Sequence, residues 1–338
     1  MQYTTLGNTG IKTSVIGLGC WAIGGWMWGG ADENDAIRTV HAAVDHGINL
    51  LDTAPIYGYG HSEEVLGKAL AGRSREGILI ATKCGLSWEK ADWPAGKGEF
   101  HFYATQDGPG TGAATDYRVY KYLRPESIRK ELEESLRRLR TDYVDLYQTH
   151  WQDGTSIISE TMNTLLELKK EGKIRAIGVS NINCQQLDEY FACGNVDAMQ
   201  EQFSLLDRRI ETDGLLDYAR RKGMSLLPYS PLCRGLLTGK LNPAQKFAES
   251  DGRCHNRRFS PENILHINRK LADLGDLCRE YGLSVGQLII AWTFHKYEKT
   301  HVICGARTPE QILENAQAGD VVLKAEDISR IEIAMAEG

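Results

Sequence analysis

The chain lacks several features, and each absence removes a class of function. No apolar run in its 338 residues approaches the roughly 18 that a membrane-spanning helix needs. Basic charge is not in excess: 39 Lys and Arg face 45 Asp and Glu, a formal net charge of -6. Nucleic-acid binders carry a basic footprint, so no nucleic-acid partner is expected. The opening Met1-Gln2-Tyr3-Thr4-Thr5 has neither the charged nor the apolar region of a signal peptide. The eight cysteines are scattered and form no Cys-x-x-Cys. Cys254-His255 is the only adjacent Cys/His pair, and it has no partner pair at zinc spacing. No metal is expected; reduced thiols in a cytoplasm are. Low-complexity tracts are missing too.

What is present is an ordinary globular composition, 42% hydrophobic and 25% charged, and a pattern of strand then helix. Strand-like apolar runs occupy residues 15–19, 48–52, 78–83, 144–148, 174–179, 198–202, 225–229 and 301–304. Helical periodicity fills 34–46, 62–70, 125–139, 158–171, 184–191, 213–221 and 264–281, with 309–317 and 325–336 after the eighth strand. Pro125 opens a helix, and Gly172 and Gly223 follow helix ends, as capping chemistry favours. Ser62-Glu63-Glu64 is a further helix N-terminal signal. Eight strands with intervening helices predict one α/β domain over 1–338, a (β/α)8 TIM barrel. Gly7-Asn8-Thr9-Gly10 predicts an N-terminal β-hairpin outside the barrel, closing its floor. Long loops follow strand three (84–123) and strand seven (231–261). Loops of that length are functional or disordered.

Gly17-Leu18-Gly19-Cys20-Trp21-Ala22 fits the loose dinucleotide pattern G-x-G-x-x-G/A, but Ile23-Gly24-Gly25-Trp26-Met27-Trp28-Gly29-Gly30 follows. That is a poor helix, and the pattern requires one. A Gly-rich loop whose tryptophans line a pocket is the better reading.

In such a barrel the site is built at the carboxyl ends of the strands. Those ends carry Asp52 and Tyr57, then Lys83, then Gln148-Thr149-His150, then Ser180-Asn181, Gln200 and Gln202, Tyr229-Ser230, and Gly305-Ala306-Arg307. Singly, each is an ordinary turn, packing or solvated residue; their joint placement is not ordinary. Asp52, Tyr57, Lys83 and His150 resemble, in order and strand placement, the catalytic tetrad of the aldo-keto reductases. Leu51-Asp52-Thr53-Ala54 with Tyr57-Gly58, Ile177-Gly178-Val179-Ser180-Asn181, Tyr229-Ser230-Pro231-Leu232, Gly235-Leu236-Leu237-Thr238-Gly239-Lys240 and Gly305-Ala306-Arg307-Thr308-Pro309-Glu310-Gln311 resemble further segments of that family. The likeness runs through essentially the whole chain and is closest to the bacterial general and sugar-type members.

That resemblance implies an NADP(H)-dependent oxidoreductase. It would reduce an aldehyde or ketone to an alcohol, or run in reverse. Tyr57 would be the acid, Lys83 would lower its pKa, Asp52 would orient Lys83, and His150 would hold the carbonyl oxygen. For the cofactor it implies Gly19, Trp21, Ser180, Asn181, Gln200, Tyr229, Ser230, Leu232, Arg234, Gly235, Lys240, Gly305, Arg307, Gln311 and Asn315. Ser180, Asn181 and Gln200 would take the carboxamide, and Tyr229 would stack on the nicotinamide ring. The 230–240 loop would wrap the pyrophosphate. Many relatives carry Lys where Gly305 stands, which leaves Arg307 as the cation for a 2′-phosphate. Trp21, Trp28, Trp88 and Trp151 are expected to wall a substrate pocket, with His101, Gln152 and Asp153 bonding hydroxyls. These walls suit an aldose or related small-molecule sugar aldehyde. The insertion after strand three, with Trp93 and the run Gly108-Pro109-Gly110-Thr111-Gly112, is expected to act as a lid or an oligomer contact. The oligomeric state stays open, with a monomer compatible. Two other functions compete. One is a nicotinamide-binding sensor of the potassium-channel β-subunit type; the other, a non-redox barrel isomerase, lacks a suitable phosphate site.

Overall fold

Eight parallel strands close into a barrel in the order expected of sequential βα units, and the computed structural model describes residues 1–90, 97–108, 110 and 115–336. The chain opens with β1 (Tyr3–Thr5) and β2 (Lys12–Ser14), an antiparallel pair. Then come β3 (Ile16–Gly19), α1 (Glu33–Asp45), β4 (Leu50–Asp52), α2 (His61–Ala69) and β5 (Leu79–Cys84). An inserted sheet follows: β6 (Leu86–Lys90), β7 (Glu99–Ala104) and β8 (Tyr117–Lys121). The barrel resumes with α3 (Pro125–Leu139), β9 (Val144–Thr149), α4 (Ile158–Lys170), β10 (Ile174–Ser180), α5 (Cys184–Cys193) and β11 (Ala198–Gln202). Helices α6 (Arg209–Thr212) and α7 (Leu215–Lys222) precede β12 (Ser225–Tyr229). After it lie α8 (Pro261–Ala272), α9 (Gly275–Tyr281), α10 (Val285–His295), β13 (Val302–Gly305), α11 (Pro309–Gln317) and α12 (Ala325–Met335).

The barrel runs β3-β4-β5-β9-β10-β11-β12-β13 and closes through β13 on β3. Its interior is a small apolar plug that includes Leu50, Leu79, Leu146 and Leu227, with Leu6 of the hairpin filling the bottom. The hairpin therefore does close the floor. Outward-facing residues of the same strands meet the helices in the main core, for example Leu51, Ile80 and Tyr147. Alternation along each strand splits its residues between these two cores.

Three elements differ from expectation. The helix expected over 264–281 is two, because the chain turns at Asp273 and Leu274, and α9 restarts at Gly275. Helix α10 was not anticipated. It is buried from Gly286 through Phe294, and a helix apolar all round shows no 3.6-residue stripe. The strand-three insertion is a three-stranded antiparallel sheet in the order β6-β8-β7. Trp26 Nε1 and Tyr59 Oη both donate to Thr105 O, at 3.3 and 3.0 Å, and the Gly154 N–H donates to Glu99 at 3.1 Å. The insertion is thus pinned to the barrel mouth as a wall; Trp93, Pro109, Thr111 and Gly112 lie outside the described residues.

Ser62 is not the cap of α2. Left-handed Gly60 (φ 99°) holds that position, and Ser62 and Glu63 are buried inside the helix. Close approach of α2 to α3 has a direct consequence at Gly67. A Cβ there would lie 2.3 Å from Arg138 O. Replacing an exposed mid-helix Gly by Ala normally stabilises by roughly 1 kcal/mol. Here Gly67→Ala is expected to destabilise by about 1–3 kcal/mol through overpacking, seen as a lowered denaturant midpoint. A raised midpoint would contradict the packing.

Candidate active site

Strand ends bring the candidate residues to one layer. Gly19 pairs with Asp52 and with Gly305 across the sheet, and Lys83 pairs with Gln148. At the centre, Lys83 Nζ donates to Asp52 Oδ1 at 2.7 Å and to Thr53 O at 2.8 Å. The two side chains are 0% and 3% exposed. The other oxygen, Asp52 Oδ2, accepts from Gln148 Nε2 at 3.1 Å and from Gln200 Nε2 at 2.8 Å. The carboxylate therefore has three donors and a fixed orientation.

Tyr57 lies on this pair, with the Lys83 ammonium 5.0 Å from its ring centroid. His150 meets Tyr57 edge to face at 5.7 Å, and Trp21 stacks on it at 6.0 Å. The four residues of the expected tetrad are thus together. Burial disfavours the Lys83 charge, but Asp52 and Tyr57 more than offset this and raise its pKa. Burial also raises the Tyr57 pKa, and Lys83 only partly opposes that. This corrects the expectation of a lowered tyrosine: Tyr57 stands as a neutral phenol, a proton donor beside a fixed cation. His150 is pushed well below the ordinary histidine range by burial, then by Lys83 and His101. It is a neutral imidazole, and its buried Nδ1 has no hydrogen-bond partner among the described residues.

Above these groups opens a cleft of about 1250 Å³. It is lined by Asp52, Tyr57 and His150, by Trp21, Trp28 and Trp151, and by every residue expected at the cofactor. Lys83 lies beneath the floor. Trp88 lies apart: it packs on Tyr59 at 5.7 Å and is absent from the lining. Gln152 and Asp153 are also elsewhere. Gln152 is tied to Thr149, Ser180 O and Tyr190, and Asp153 to the 155–156 turn and Leu123 N. His101 alone of the three expected hydroxyl partners lines the cleft.

Ser180, Asn181, Gln200 and Tyr229 form a connected group. Ser180 Oγ donates to Gln200 O at 2.7 Å, Asn181 Nδ2 to His150 O at 2.8 Å, and Tyr229 Oη to Asn181 Oδ1 at 2.9 Å. Asn181 sits at φ 52°, an uncommon conformation for a non-glycine residue and one that clusters at functional loops. Ser230, Cys233, Arg234 and Gly235 also have positive φ. The N–H groups of Cys233, Gly235 and Leu237 are already bonded to Ser230 O and Leu232 O, so the 230–240 loop is less open to an anion than expected.

Six arginines, at 208, 209, 234, 253, 258 and 307, line the cleft with Lys240. Asp207 pairs with Arg258 at 2.6 Å, Asp251 with Arg253 at 2.7 Å, and Glu314 with Lys240 at 2.6 Å. Among the described residues, Arg209, Arg234 and Arg307 have no carboxylate within ion-pair distance. Arg234 lies over the Trp21 ring at 4.9 Å, and Arg307 donates to Trp28 O at 3.1 Å. A basic cleft in a chain of net charge -6 favours a polyanionic ligand. The flat Tyr229 and Trp21 faces suit its rings.

Sequence reasoning passed over Gln148, although its strand end was noted, and it passed over Glu63. Buried Glu63 accepts from Thr82 Oγ1 at 2.6 Å and from Arg138 Nε at 2.7 Å, so it ties α2 to the residue before Lys83. Its apolar surroundings on α2 were the available signal.

Comparison with known proteins points to one family and one fold. The profile of the aldo/keto reductase family matches residues 15–336. A Bacillus subtilis aldo-keto reductase, YhdN, is 37% identical over 329 residues, spanning 97% of this chain and 91% of the relative. An Escherichia coli protein named NADH-specific methylglyoxal reductase is 39% identical over 332 residues, 97% of this chain and 96% of the relative. The structure of a glycerol dehydrogenase from Gluconobacter oxydans superposes with a TM-score of 0.84 at 36% identity, covering 98% of this chain and 94% of that one.

Proposed function

Because the chain belongs to the aldo/keto reductase family, we propose that it is an NADP(H)-dependent reductase of small hydroxylated aldehydes or ketones, reversible as an alcohol dehydrogenase. The observation that carries this reading is the neutral Tyr57 phenol set between a buried Lys83–Asp52 pair and a neutral His150. Tyr57 is the proton donor to the carbonyl oxygen. Lys83 stabilises the phenolate that forms when the proton leaves, and Asp52 holds Lys83 charged. His150 donates a hydrogen bond to the same oxygen and fixes its position. When bound, the nicotinamide supplies the hydride. Tyr229 would support its ring, while Ser180, Asn181 and Gln200 would hold its carboxamide. Arg307 offers a planar fork for a 2′-phosphate.

One observation favours a second cofactor reading. Glu314 neutralises Lys240, and Gly305 presents no side chain. Burial works against the Glu314 charge, but Lys240 and Ser284 hold its pKa down. A carboxylate in such a place suits a ribose hydroxyl rather than a phosphate, and the Escherichia coli relative is named NADH-specific. The sensor-subunit alternative has no such support; the relatives reported above are named as reductases or a dehydrogenase.

Tyr57→Phe is expected to lower kcat by about 100- to 10,000-fold while cofactor affinity, followed by fluorescence titration, stays near that of the unmodified protein. Near-normal turnover would sink the assignment. The same titrations should give tighter binding of NADPH than NADH. Arg307→Ala should weaken NADPH by about tenfold or more, the worth of one charge-assisted fork. Equal affinities in the unmodified protein would overturn the NADPH preference, and tighter binding of NADH would select the second reading.

A further inference from the structure

One strand of the inserted sheet breaks its alternation. Along β7, Phe100 and Tyr103 are exposed, whereas His101 and Phe102 both turn inward and both line the cleft. Consecutive residues of a regular strand face opposite sides. Here the pairing of β7 with β8 slips between Phe100 and Phe102, so that Phe100 faces Tyr120 and Phe102 faces Val119. His101 is the extra residue. Such bulges recur beside active sites, where they re-aim a side chain.

The two inward residues do different work. Phe102 stacks on Trp26 at 6.1 Å and anchors the sheet. His101 rests against Trp151, the residue after His150, at 4.9 Å. Among the described residues its imidazole makes no side-chain hydrogen bond. Neither of its nitrogens is an unpartnered buried atom. The ring is half-buried and open to the cleft. Burial first, and then Lys121, lower its pKa against the pull of Glu99. The imidazole is therefore neutral, with one donor and one acceptor. A donor and acceptor on one ring match a hydroxyl, which is both as well. In the surrounding wall of Trp151, Trp21, Trp28 and Phe102, the Trp21 and Trp28 indole N–H groups have no partner among the described residues, but an indole can only donate, so His101 is the side chain of this wall that offers an acceptor as well.

We propose that His101, turned into the cleft by the β-bulge in the inserted sheet, is a specificity-determining residue that hydrogen-bonds a second oxygen of the substrate, so that the protein prefers carbonyl compounds bearing a nearby hydroxyl. This rests on the reductase reading above and adds to it the group that selects the substrate. The bulge sits on a sheet pinned at Thr105 and Glu99, so the imidazole is held rather than carried on a mobile loop.

The test compares glyceraldehyde with propanal, which has the same carbon chain without hydroxyls. The unmodified protein should have the higher kcat/KM on glyceraldehyde. His101→Phe keeps a flat ring against Trp151 and removes both nitrogens. It should lower the glyceraldehyde-to-propanal ratio of kcat/KM about three- to tenfold, the span of one neutral hydrogen bond, with the change carried by KM. His101→Leu gives the same test should the Phe variant not fold. His101→Gln retains a donor and an acceptor and should restore the ratio at least in part. An unchanged ratio in the Phe or Leu variants, or an equal fall on both aldehydes, overturns the inference alone. Absence of turnover of either aldehyde by the unmodified protein overturns the reductase reading, and this inference with it.

Discussion

The structure of the cleft depends on one contact, the ion pair between Lys83 and Asp52 in the barrel floor. Two charges away from water are costly, and a buried pair is often matched or exceeded in stability by apolar residues of the same volume. The pair is sustained because nearly every polar lobe has a partner: Thr53 O on the ammonium, Gln148 and Gln200 on the second carboxylate oxygen. Gln148 and Gln200 come from β9 and β11, and Asp52 and Lys83 from β4 and β5, so four strands must hold register for the pair to exist. Tyr57 and His150 then stand on a fixed positive charge in a poorly solvated place. Electrostatic effects there are stronger than in water. That is a poor investment for folding and a sound one for moving a proton.

Around this floor, polarity is sorted by height. The mouth is basic, with Arg209, Arg234 and Arg307 lacking carboxylate partners among the described residues, although the chain as a whole is acidic. The opposite wall is aromatic: Phe102 of the inserted sheet stacks on Trp26 of the loop after β3, and both line the cleft. Under the proposed function, a long anionic ligand and a small polar one would meet different surfaces of the same cleft. The inserted sheet is extra to the eight βα units, and the selectivity proposed for His101 would sit on it.

Much of this was legible beforehand, for identifiable reasons. Barrel strands buried on both faces read as short apolar runs, and β11 and β12 fall on the expected residues. Pro125 and Pro309 marked two helix starts correctly. Helix α10 escaped because burial on all sides erases amphipathic periodicity, though the Ser284–Gln287 capping box was there to be read. The inserted sheet escaped because its strands mix aromatic and charged residues on both faces, and so lack the alternation that marks a strand. At the site, residue identity was legible but partnership was not. Trp88, Gln152 and Asp153 have suitable side chains, yet they are spent on neighbours away from the cleft. Lys240 is neutralised by Glu314, 74 positions away in the chain. The Tyr57 pKa was misjudged because proximity of a cation can be read from a motif, whereas burial cannot.

The central claim is that Lys83, held by Asp52, makes Tyr57 an effective proton donor without itself contacting the cofactor. The most direct measurement is the single-turnover rate of nicotinamide oxidation by an aldehyde in Lys83→Met, with cofactor affinity measured on the same preparation. The account predicts a rate lowered by at least about 100-fold with cofactor affinity nearly unchanged. A single-turnover rate close to that of the unmodified protein would contradict it.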